Sequence, residues 1–360
     1  MFAERLKLAR KKAGLSMQGL ADRIEPKVSA QAISKYEHEK MMPSSAVLMG
    51  LAKELGVSLD FLMGGQVRAL EGIEFRKHSA TSAREKAMAE AIVIERLEDY
   101  LAIEGIVDVP NPPDHFAGLR CTSVGSWEAI DEKAQELRVS WKLGIDPIPS
   151  VTNLLEDKGI KVVEADLPER INGLACTIER AGLENSGEAI VVSSRTNVER
   201  KRFNLAHELA HRVILETGSE SIKLEKAMNR FAGAFLVPKE HLLEEVGAIR
   251  HGMTYHEIIR LKHAYGVSAA AMLMRLGQVG ILPSGVVDYA FRTFARRWRS
   301  KEPEPIRDSE GFGLFEHPRR FKRLVWRALG EELISPVRAA QFLKMPLNRI
   351  EEEIRGPREQ

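Results

Sequence analysis

Residues 203–215 read FNLAHELAHRVIL, with His207 and His211 four positions apart and Glu208 directly after the first histidine. Side chains at i and i+4 lie on one face of a helix about one turn apart, so both imidazoles can reach a single ion. Glu208 points about 100 degrees round the helix and is therefore not an equal ligand. Because neutral imidazole nitrogen is a preferred ligand of Zn2+, the pattern predicts a zinc site.

The residues around this motif favour a catalytic site. A catalytic zinc ion has three protein ligands and a water whose pKa it lowers towards neutrality, and Glu208 is the predicted general base for that water. A chance grouping on a solvated helix face is the alternative, and unpaired buried charge would be costly there. The neighbours are apolar and predict a buried helix: Phe203, Leu205, Ala206, Leu209, Ala210, Val213 and Ile214.

The third ligand comes from another part of the chain. Glu225 is the leading candidate because it lies at the start of the next predicted helix. A solvated glutamate is also favoured near a helix N-terminus by the helix dipole, so the spacing alone leaves its role open. Glu216, Glu220 and Glu240 compete with it.

HELAH and the following EKAMNRFAGAFLVP (residues 225–238) resemble the ImmA/IrrE-type zinc metallopeptidases. The usual family pattern is HELGH, then E-x-x-A-N-x-F-A and a leucine-rich run ending in proline. The resemblance covers about residues 150–280. It implies His207, His211 and Glu225 as Zn2+ ligands and Glu208 as the general base. The chain departs from the pattern where Ala210 replaces the usual glycine and where Met228 precedes the asparagine.

The resemblance also implies a substrate class. Members of this family cut proteins, often helix-turn-helix repressors, at a limited site, which suggests a stress or phage-related response. The run AIVVSS (residues 189–194) is either an edge strand that pairs with an extended substrate or an internal strand of a sheet.

The first 65 residues predict five short helices, with Ser16 and Ser29 as N-caps and Gly14 and Gly56 as helix ends. LSMQGLADRI and VSAQAISKYE within them resemble the Xre/Cro-type helix-turn-helix, whose second helix enters the major groove of double-stranded DNA. Gly19 and a connection about two residues longer than usual depart from that pattern. A helical protein-interaction module without DNA affinity is the alternative.

The second helix of the motif begins at Ser29 and carries the predicted base contacts. Gln31 suits an adenine edge, Ser34 and Lys35 suit bases or phosphates, and Gln18 in the preceding helix suits a phosphate. One such unit reads a half-site, so we expect a homodimer. Seven cations are expected to make this domain locally basic: Arg5, Lys7, Arg10, Lys11, Lys12, Lys35 and Lys40.

The whole chain is predicted to be a multi-domain, mainly α protein. We expect a helix-turn-helix domain at 1–65, a helical linker region at 66–148, an α+β zincin-like metallopeptidase domain with a small sheet at 149–282, and a helical C-terminal region at 283–360. Residues 159–166 and 188–194 are predicted strands, 174–180 is a weaker candidate, and Thr196 begins a capping box. Further predicted helices are 83–105, 126–141, 197–216, 222–236, 238–247, 254–265 and 268–277.

Composition excludes several other classes of protein. The chain has 360 residues with 44% hydrophobic content, and 53 basic residues against 51 acidic ones give a net charge of +2. Two isolated cysteines predict neither a disulfide scaffold nor a cysteine-based metal site. With no secretory signal and no apolar run long enough for a membrane span, we expect a soluble cytoplasmic protein.

Two functions compete at this point. One is a zinc-dependent endopeptidase that is also a transcription regulator and cuts itself or a repressor partner. The other is a non-proteolytic or antitoxin-like repressor whose metal domain senses a ligand, and the intact Glu208 favours the first. Helix 83–105 and the tail at 321–345 are each either a dimer surface or intramolecular core. The basic-aromatic runs 294–305 and 317–328 are solvated faces or second nucleic-acid contacts.

Overall fold

The structure is a computed structural model that describes residues 1–72, 81–121, 123–180, 187–218, 221–307 and 316–356. The chain divides into two compact units. The first contains Met1–Pro112, Gly159–Val191 and Pro318–Gln360, and the second contains Pro113–Lys158 and Val192–His317. No helix among the described residues is long and apolar enough to cross a membrane.

The described residues form a mainly helical fold with one small sheet, as the sequence predicts. The described helices are α1 (Phe2–Ala13), α2 (Met17–Arg23), α3 (Ala30–Glu37), α4 (Ser45–Leu55), α5 (Leu59–Met63), α6 (Ala83–Ile106), α7 (Trp127–Ser140), α8 (Val151–Asp157), α9 (Val198–Val213), α10 (Leu224–Leu236), α11 (Lys239–Val246), α12 (Tyr255–Tyr265), α13 (Ala269–Gln278), α14 (Ser284–Arg292), α15 (Arg320–Gly330), α16 (Pro336–Leu343) and α17 (Leu347–Arg355). The strands are β1 (Val67–Glu71), β2 (Lys161–Ala165), β3 (Gly173–Arg180) and β4 (Gly187–Ser193).

Helices α1–α5 form the predicted five-helix arrangement at the N-terminus. The hydroxyls of Ser16 and Ser29 each accept a hydrogen bond from a backbone N–H in the first turn of the helix that follows. Gly14 and Gly56 end α1 and α4 in the left-handed conformation that glycine adopts without steric cost. The core beneath these caps is aliphatic and includes Leu6, Leu20, Ile24, Ile33 and Leu51.

The sheet has the strand order β1-β3-β4-β2. Strand β1, which the sequence did not predict, pairs antiparallel with β3, and Leu70 lies opposite Ile178. Strand β4 contains most of the AIVVSS run and has a neighbour on each side. The edge-strand hypothesis for that run is therefore wrong, because both backbone edges of β4 are already occupied within the sheet.

Helix α6 packs against α1 and α15, which makes it part of the core of the first unit. Its buried side chains include Val93, Leu97 and Tyr100. The Tyr100 ring contacts Phe321 of α15, with ring centroids 5.5 Å apart. Of the two alternatives for helix 83–105, intramolecular core is therefore the one that the structure supports.

In the second unit, α9 begins one residue later than the sequence predicts. Asn197 is the N-cap and its side chain accepts a hydrogen bond from the Arg200 N–H. The predicted capping box from Thr196 is wrong, since the Thr196 hydroxyl donates instead to the Ser193 carbonyl. The asparagine is the better N-cap of the two. Helix α8 was not predicted from the sequence, and α14 was predicted only as part of the helical C-terminal region at 283–360.

Two buried ion pairs hold α9 in place. Arg202 pairs with Glu316 and also donates to the carbonyls of Ile148 and Pro149. Glu316 in turn accepts from the backbone N–H groups at the start of α8, and burial lowers the pKa of the Arg202 guanidinium. One turn earlier, Glu199 accepts from Lys262 of α12 at 2.8 Å. Since burying either charge alone would be costly, these partners fix the position of the helix.

Glu316→Gln is expected to lower the free energy of unfolding by roughly 3 kcal/mol, because it leaves the Arg202 charge buried without a compensating anion. Urea denaturation followed by circular dichroism measures this. The control is Glu352→Gln, which removes an exposed pair with Arg349 and should cost less than about 1 kcal/mol. Equal losses in the two variants would show that the buried pair does not anchor α9.

Candidate metal centre and candidate DNA-binding helix

The structure brings together the two histidines of HELAH and the leading candidate for the third ligand. One potential ligand atom from each of His207, His211 and Glu225 lies within 4.8 Å of the other two. The Glu225 carboxylate is 3.5 Å from His207 Nε2 and 4.0 Å from His211 Nε2. His207 is fully buried, whereas the side chain of Glu225 is 46% exposed, so the group opens to solvent on the glutamate side.

Asn229 orients the first histidine. Its Oδ1 lies 3.0 Å from His207 Nδ1. With Nδ1–H donating to that oxygen, the tautomer is set so that Nε2, on the side of Glu225, keeps its lone pair. A partner of this kind typically fixes the ring of a metal-binding histidine. The residue pattern alone did not identify this role, although Glu225 and Asn229 are four apart and share a face of α10.

Glu208 lies beside His207 on α9 and is only 2% exposed. A carboxylate at that position, next to a ligand pair and shielded from bulk water, suits proton transfer to or from a bound substrate. The two departures from the family pattern are accommodated. Both Ala210 and Met228 are fully buried, so the larger methionine fills core space on the buried face of α10.

The competing glutamates lie elsewhere. Glu216 and Glu240 are exposed, and within the described ranges the group of possible ligands does not include them. Glu220 falls outside the described residues. Of the candidates that the structure describes, Glu225 is the one near both histidines.

The chain after α9 becomes extended at Ile214, and parallel bridges join Ile214 to Cys121 and Thr217 to Val124. The Cys121 N–H donates to the Val213 carbonyl at 2.7 Å, and the Leu215 N–H donates back to the Cys121 carbonyl at 3.0 Å. Gly218 is tied to Val124 in the same way. This ladder fixes the start of the connection between the second histidine and the helix that carries Glu225.

Helix α10 is also held by the carboxylate of Asp131, which accepts hydrogen bonds from two arginines and is called the Asp131 hub below. Asp131 of α7 accepts two hydrogen bonds from Arg230 of α10, both at 2.7 Å, and one from Arg275 of α13 at 2.9 Å. Arg275 also donates to the carbonyl of Val237, where α10 ends. Bidentate arginine–carboxylate contacts have a fixed geometry, so the hub sets the position of α10 beside α9.

Two imidazole nitrogens and one carboxylate oxygen, with an oriented histidine and one open side, match the donor set that a catalytic zinc ion requires. The group therefore fits a Zn2+ ion. Cysteine ligands are typical of closed structural zinc sites, and the group formed by His207, His211 and Glu225 contains none.

Helix α3 carries most of the predicted DNA contacts on its exposed side. Gln31 and Lys35 are exposed, and Ser34 is half-buried. Ser29 is the N-cap of α3, and its hydroxyl oxygen accepts a hydrogen bond from the Ala32 N–H. Its hydroxyl hydrogen can still be donated to DNA. Gln18 on α2 is exposed and donates to Asp22 at 2.7 Å, an internal contact that a phosphate would have to displace.

The expected basic surface of this domain is smaller than the sequence suggests. Arg5 is buried and donates to Glu98 at 2.8 Å and to the Val67 carbonyl. Arg10 makes two hydrogen bonds to the buried Glu37, at 2.6 and 2.7 Å. Both guanidinium groups therefore stabilise the fold and are not part of a cationic surface, and that part of the prediction is wrong.

Comparison with known proteins covers both regions. Residues 155–277 match the peptidase M78 family, described as the IrrE N-terminal-like domain, and residues 6–62 match the helix-turn-helix family. The chain carries an Xre-type helix-turn-helix domain and an IrrE-like peptidase-family domain. The resemblance drawn from the sequence motifs is thus confirmed.

One curated relative is similar to part of this chain. It is YonR of Bacillus subtilis (strain 168), described as an SPbeta prophage-derived uncharacterized HTH-type transcriptional regulator, and it is 43% identical over 65 residues. The match covers 18% of this chain and 58% of the relative. The chain therefore spans less than two thirds of that protein's length.

Asn229→Ala is expected to weaken zinc binding by about 10- to 100-fold, because His207 loses the acceptor that fixes its ring. Asn229→Asp keeps an acceptor oxygen and should restore most of the affinity. Competition against a chromophoric chelator measures both. Unchanged affinity in Asn229→Ala would dismiss the orienting role.

The double variant Gln31→Ala with Lys35→Ala is expected to abolish sequence-specific operator binding, since it removes both the base contact and a cation from α3. A gel shift with the promoter of the protein's own gene measures it. Lys53→Ala, at an exposed position on α4, is the control and should bind normally. Retained binding by the double variant would place recognition outside α3.

Proposed function

We propose that the protein is a DNA-binding transcriptional regulator fused to a zinc-dependent endopeptidase that makes a limited cut in a regulatory protein. The substrate is the chain itself or a helix-turn-helix repressor, and the response is to stress or to a phage. The observation that supports this is the grouping of His207, His211 and Glu225 with Glu208 buried beside them. The protein acts where DNA is, in the cytoplasm.

In this proposal His207, His211 and Glu225 hold Zn2+. When bound, zinc supplies Lewis-acid polarisation of a peptide carbonyl and lowers the pKa of a water. Asn229 keeps His207 Nδ1 protonated, which leaves Nε2 for the metal. The half-exposed side chain of Glu225 lies on the solvent side of the group, the side from which a polypeptide would approach.

Glu208 performs the proton transfers. Its carboxylate accepts the proton of the attacking water and then donates a proton to the leaving amine, so the charge developed at each step is neutralised. A site that only sensed a ligand would have no use for a carboxylate in this position. This is why the peptidase function is favoured over a purely sensory metal domain.

Because the peptidase domain and the DNA-binding domain are on one chain, cleavage can regulate transcription. A peptidase carried on a DNA-binding chain is concentrated near other proteins bound at the same promoter, since tethering raises the effective concentration of neighbouring sites. A single cut that separates a DNA-binding domain from its dimerisation region would release the promoter. Limited cleavage, not general degradation, is the expected outcome.

Glu208→Gln is expected to retain stoichiometric zinc and to lose proteolysis by at least about 100-fold, because the amide keeps the shape of the side chain but cannot accept a proton. The zinc-loaded chain is incubated alone and with the purified products of adjacent genes. One discrete new band with the wild type, absent with Glu208→Gln, is the expected result.

The matched control is Glu216→Gln, an exposed glutamate outside the ligand group, which should cleave as the wild type does. If Glu208→Gln cleaves normally, or if every zinc-dependent phenotype survives the substitution, the peptidase function is wrong and the sensory function replaces it.

A further inference from the structure

Asn204 is a buried polar residue of α9 that the proposed mechanism does not use. It is 3% exposed, and its amide Nδ2 is shielded from solvent and makes no hydrogen bond to any described residue. A buried amide without a partner lowers the stability of a fold, so one that is retained needs an explanation. An acceptor that arrives only with a ligand is such an explanation.

The position of Asn204 on α9 connects it with the proposed metal ligands. Residues 204, 207, 208 and 211 have the i, i+3, i+4, i+7 spacing of one helix face, which we call the ligand stripe. Asn204 precedes His207 on this stripe by about 4.5 Å along the helix axis. Helical side chains tilt towards the N-terminus of their helix, so those of His207 and Glu208 extend over the turn that contains Asn204.

The buried polar residues on the opposite side of α9 have partners. Glu199 accepts a hydrogen bond from Lys262, and Arg202 pairs with Glu316. At 100 degrees per residue, positions 199 and 202 lie about 140 and 160 degrees round the helix from Asn204. The amide without a hydrogen bond is therefore on the side of α9 that carries the two histidines, where a substrate would bind.

Helix α10 offers Asn204 no acceptor on a side chain. Glu225 lies near both histidines of α9, and Asn229, one turn later on α10, is beside His207. Helix α10 therefore runs back along α9, and its next turn lies towards Asn204. Residues 231–235 of that turn read Phe-Ala-Gly-Ala-Phe and include no polar side chain.

We propose that Asn204 is a substrate-binding residue whose amide donates a hydrogen bond to a carbonyl oxygen of the polypeptide bound at the metal. This assignment rests on the proposed peptidase function and adds a contact to it. An extended polypeptide carries a backbone carbonyl about every 3.3–3.6 Å. A carbonyl close to the bond that is cut can therefore reach a donor one helical turn from the ligands.

Burial makes this donor selective. The Nδ2 of Asn204 is as well shielded from solvent as the Nε2 of His207, the atom that the metal must reach. Water competes little for a hydrogen bond in such a place, which strengthens the bond. A ligand that supplies the oxygen satisfies the amide, whereas a ligand without it leaves the amide unpaired and binds more weakly.

The first test is the stability of the metal-free chain. Asn204→Leu removes the amide and keeps a side chain of similar size. The melting temperature, measured by scanning calorimetry, should be unchanged or higher, because an apolar group replaces an unpaired polar one. A lower melting temperature would show that the amide stabilises the fold, for example by holding a buried water, and would overturn the proposal.

The second test compares two probes with the same zinc-binding group by titration calorimetry on the zinc-loaded full-length chain. One is acetohydroxamic acid, and the other is a succinyl hydroxamate joined to a dipeptide amide, which adds backbone carbonyls. Asn204→Leu should bind acetohydroxamic acid as the wild type does. It should bind the peptidyl probe about 10-fold more weakly, because one hydrogen bond is lost.

Asn153→Leu is the matched control. It makes the same change at an exposed asparagine of α8 and should leave both affinities as in the wild type. Unchanged affinity of Asn204→Leu for the peptidyl probe would overturn the assignment, as would an equal loss for both probes. A wild type that binds neither zinc nor acetohydroxamic acid would overturn the proposed function as well, so the two failures are distinguishable.

Discussion

Helix α9 buries polar side chains along most of its length, and each of them needs a partner. Glu199, Arg202, His207 and Glu208 are all shielded from solvent. Leaving such groups unsatisfied would cost several kcal/mol each. The surrounding elements of the second unit supply partners: Lys262 for Glu199, Glu316 for Arg202 and Asn229 for His207. The same contacts that compensate the buried polar groups of α9 also hold His207 in one orientation.

The proposed third ligand, Glu225, depends on a different set of contacts. Glu225 lies in the first turn of α10, a helix positioned by the Asp131 hub through Arg230 and Arg275. The strand-like pairing between Cys121 and the residues after α9 then fixes where the intervening chain begins. The proposed metal centre, built from two helices, therefore relies on contacts well outside it. Rigid support of this kind is what keeps ligands at usable distances.

Residue spacing and helix-capping patterns predict the histidine pair and the N-terminal helices from the sequence. The i, i+4 spacing of His207 and His211 identifies the histidine pair, and serine caps with glycine ends locate helices α1–α5. Glu225 could not be derived in this way, because the chain between two helices can place any of several glutamates near the pair. Only the resemblance to a family singled it out. Asn229 was missed because its role appears only when α9 and α10 are packed together.

The sequence also failed to predict strand β1, the burial of two arginines and the position of β4 in the sheet. Strand β1 has the sequence VRALE with one β-branched residue, so it lacks a strand signal. Arg5 and Arg10 carry the charge of surface residues, yet their long side chains reach carboxylates elsewhere in the first unit. Strand β4 was ambiguous because an apolar run looks the same at an edge and in the interior of a sheet.

X-ray absorption at the zinc edge, on the full-length chain loaded with one equivalent of Zn2+, tests the metal centre most directly. The expected spectrum has a first shell of nitrogen and oxygen at about 2.0–2.1 Å with multiple scattering from two imidazoles. In Glu225→Ala the two imidazoles should remain while the carboxylate contribution and most of the affinity are lost. A sulfur ligand at about 2.3 Å, or fewer than two imidazoles in the wild type, would contradict the assignment of His207, His211 and Glu225 to one ion.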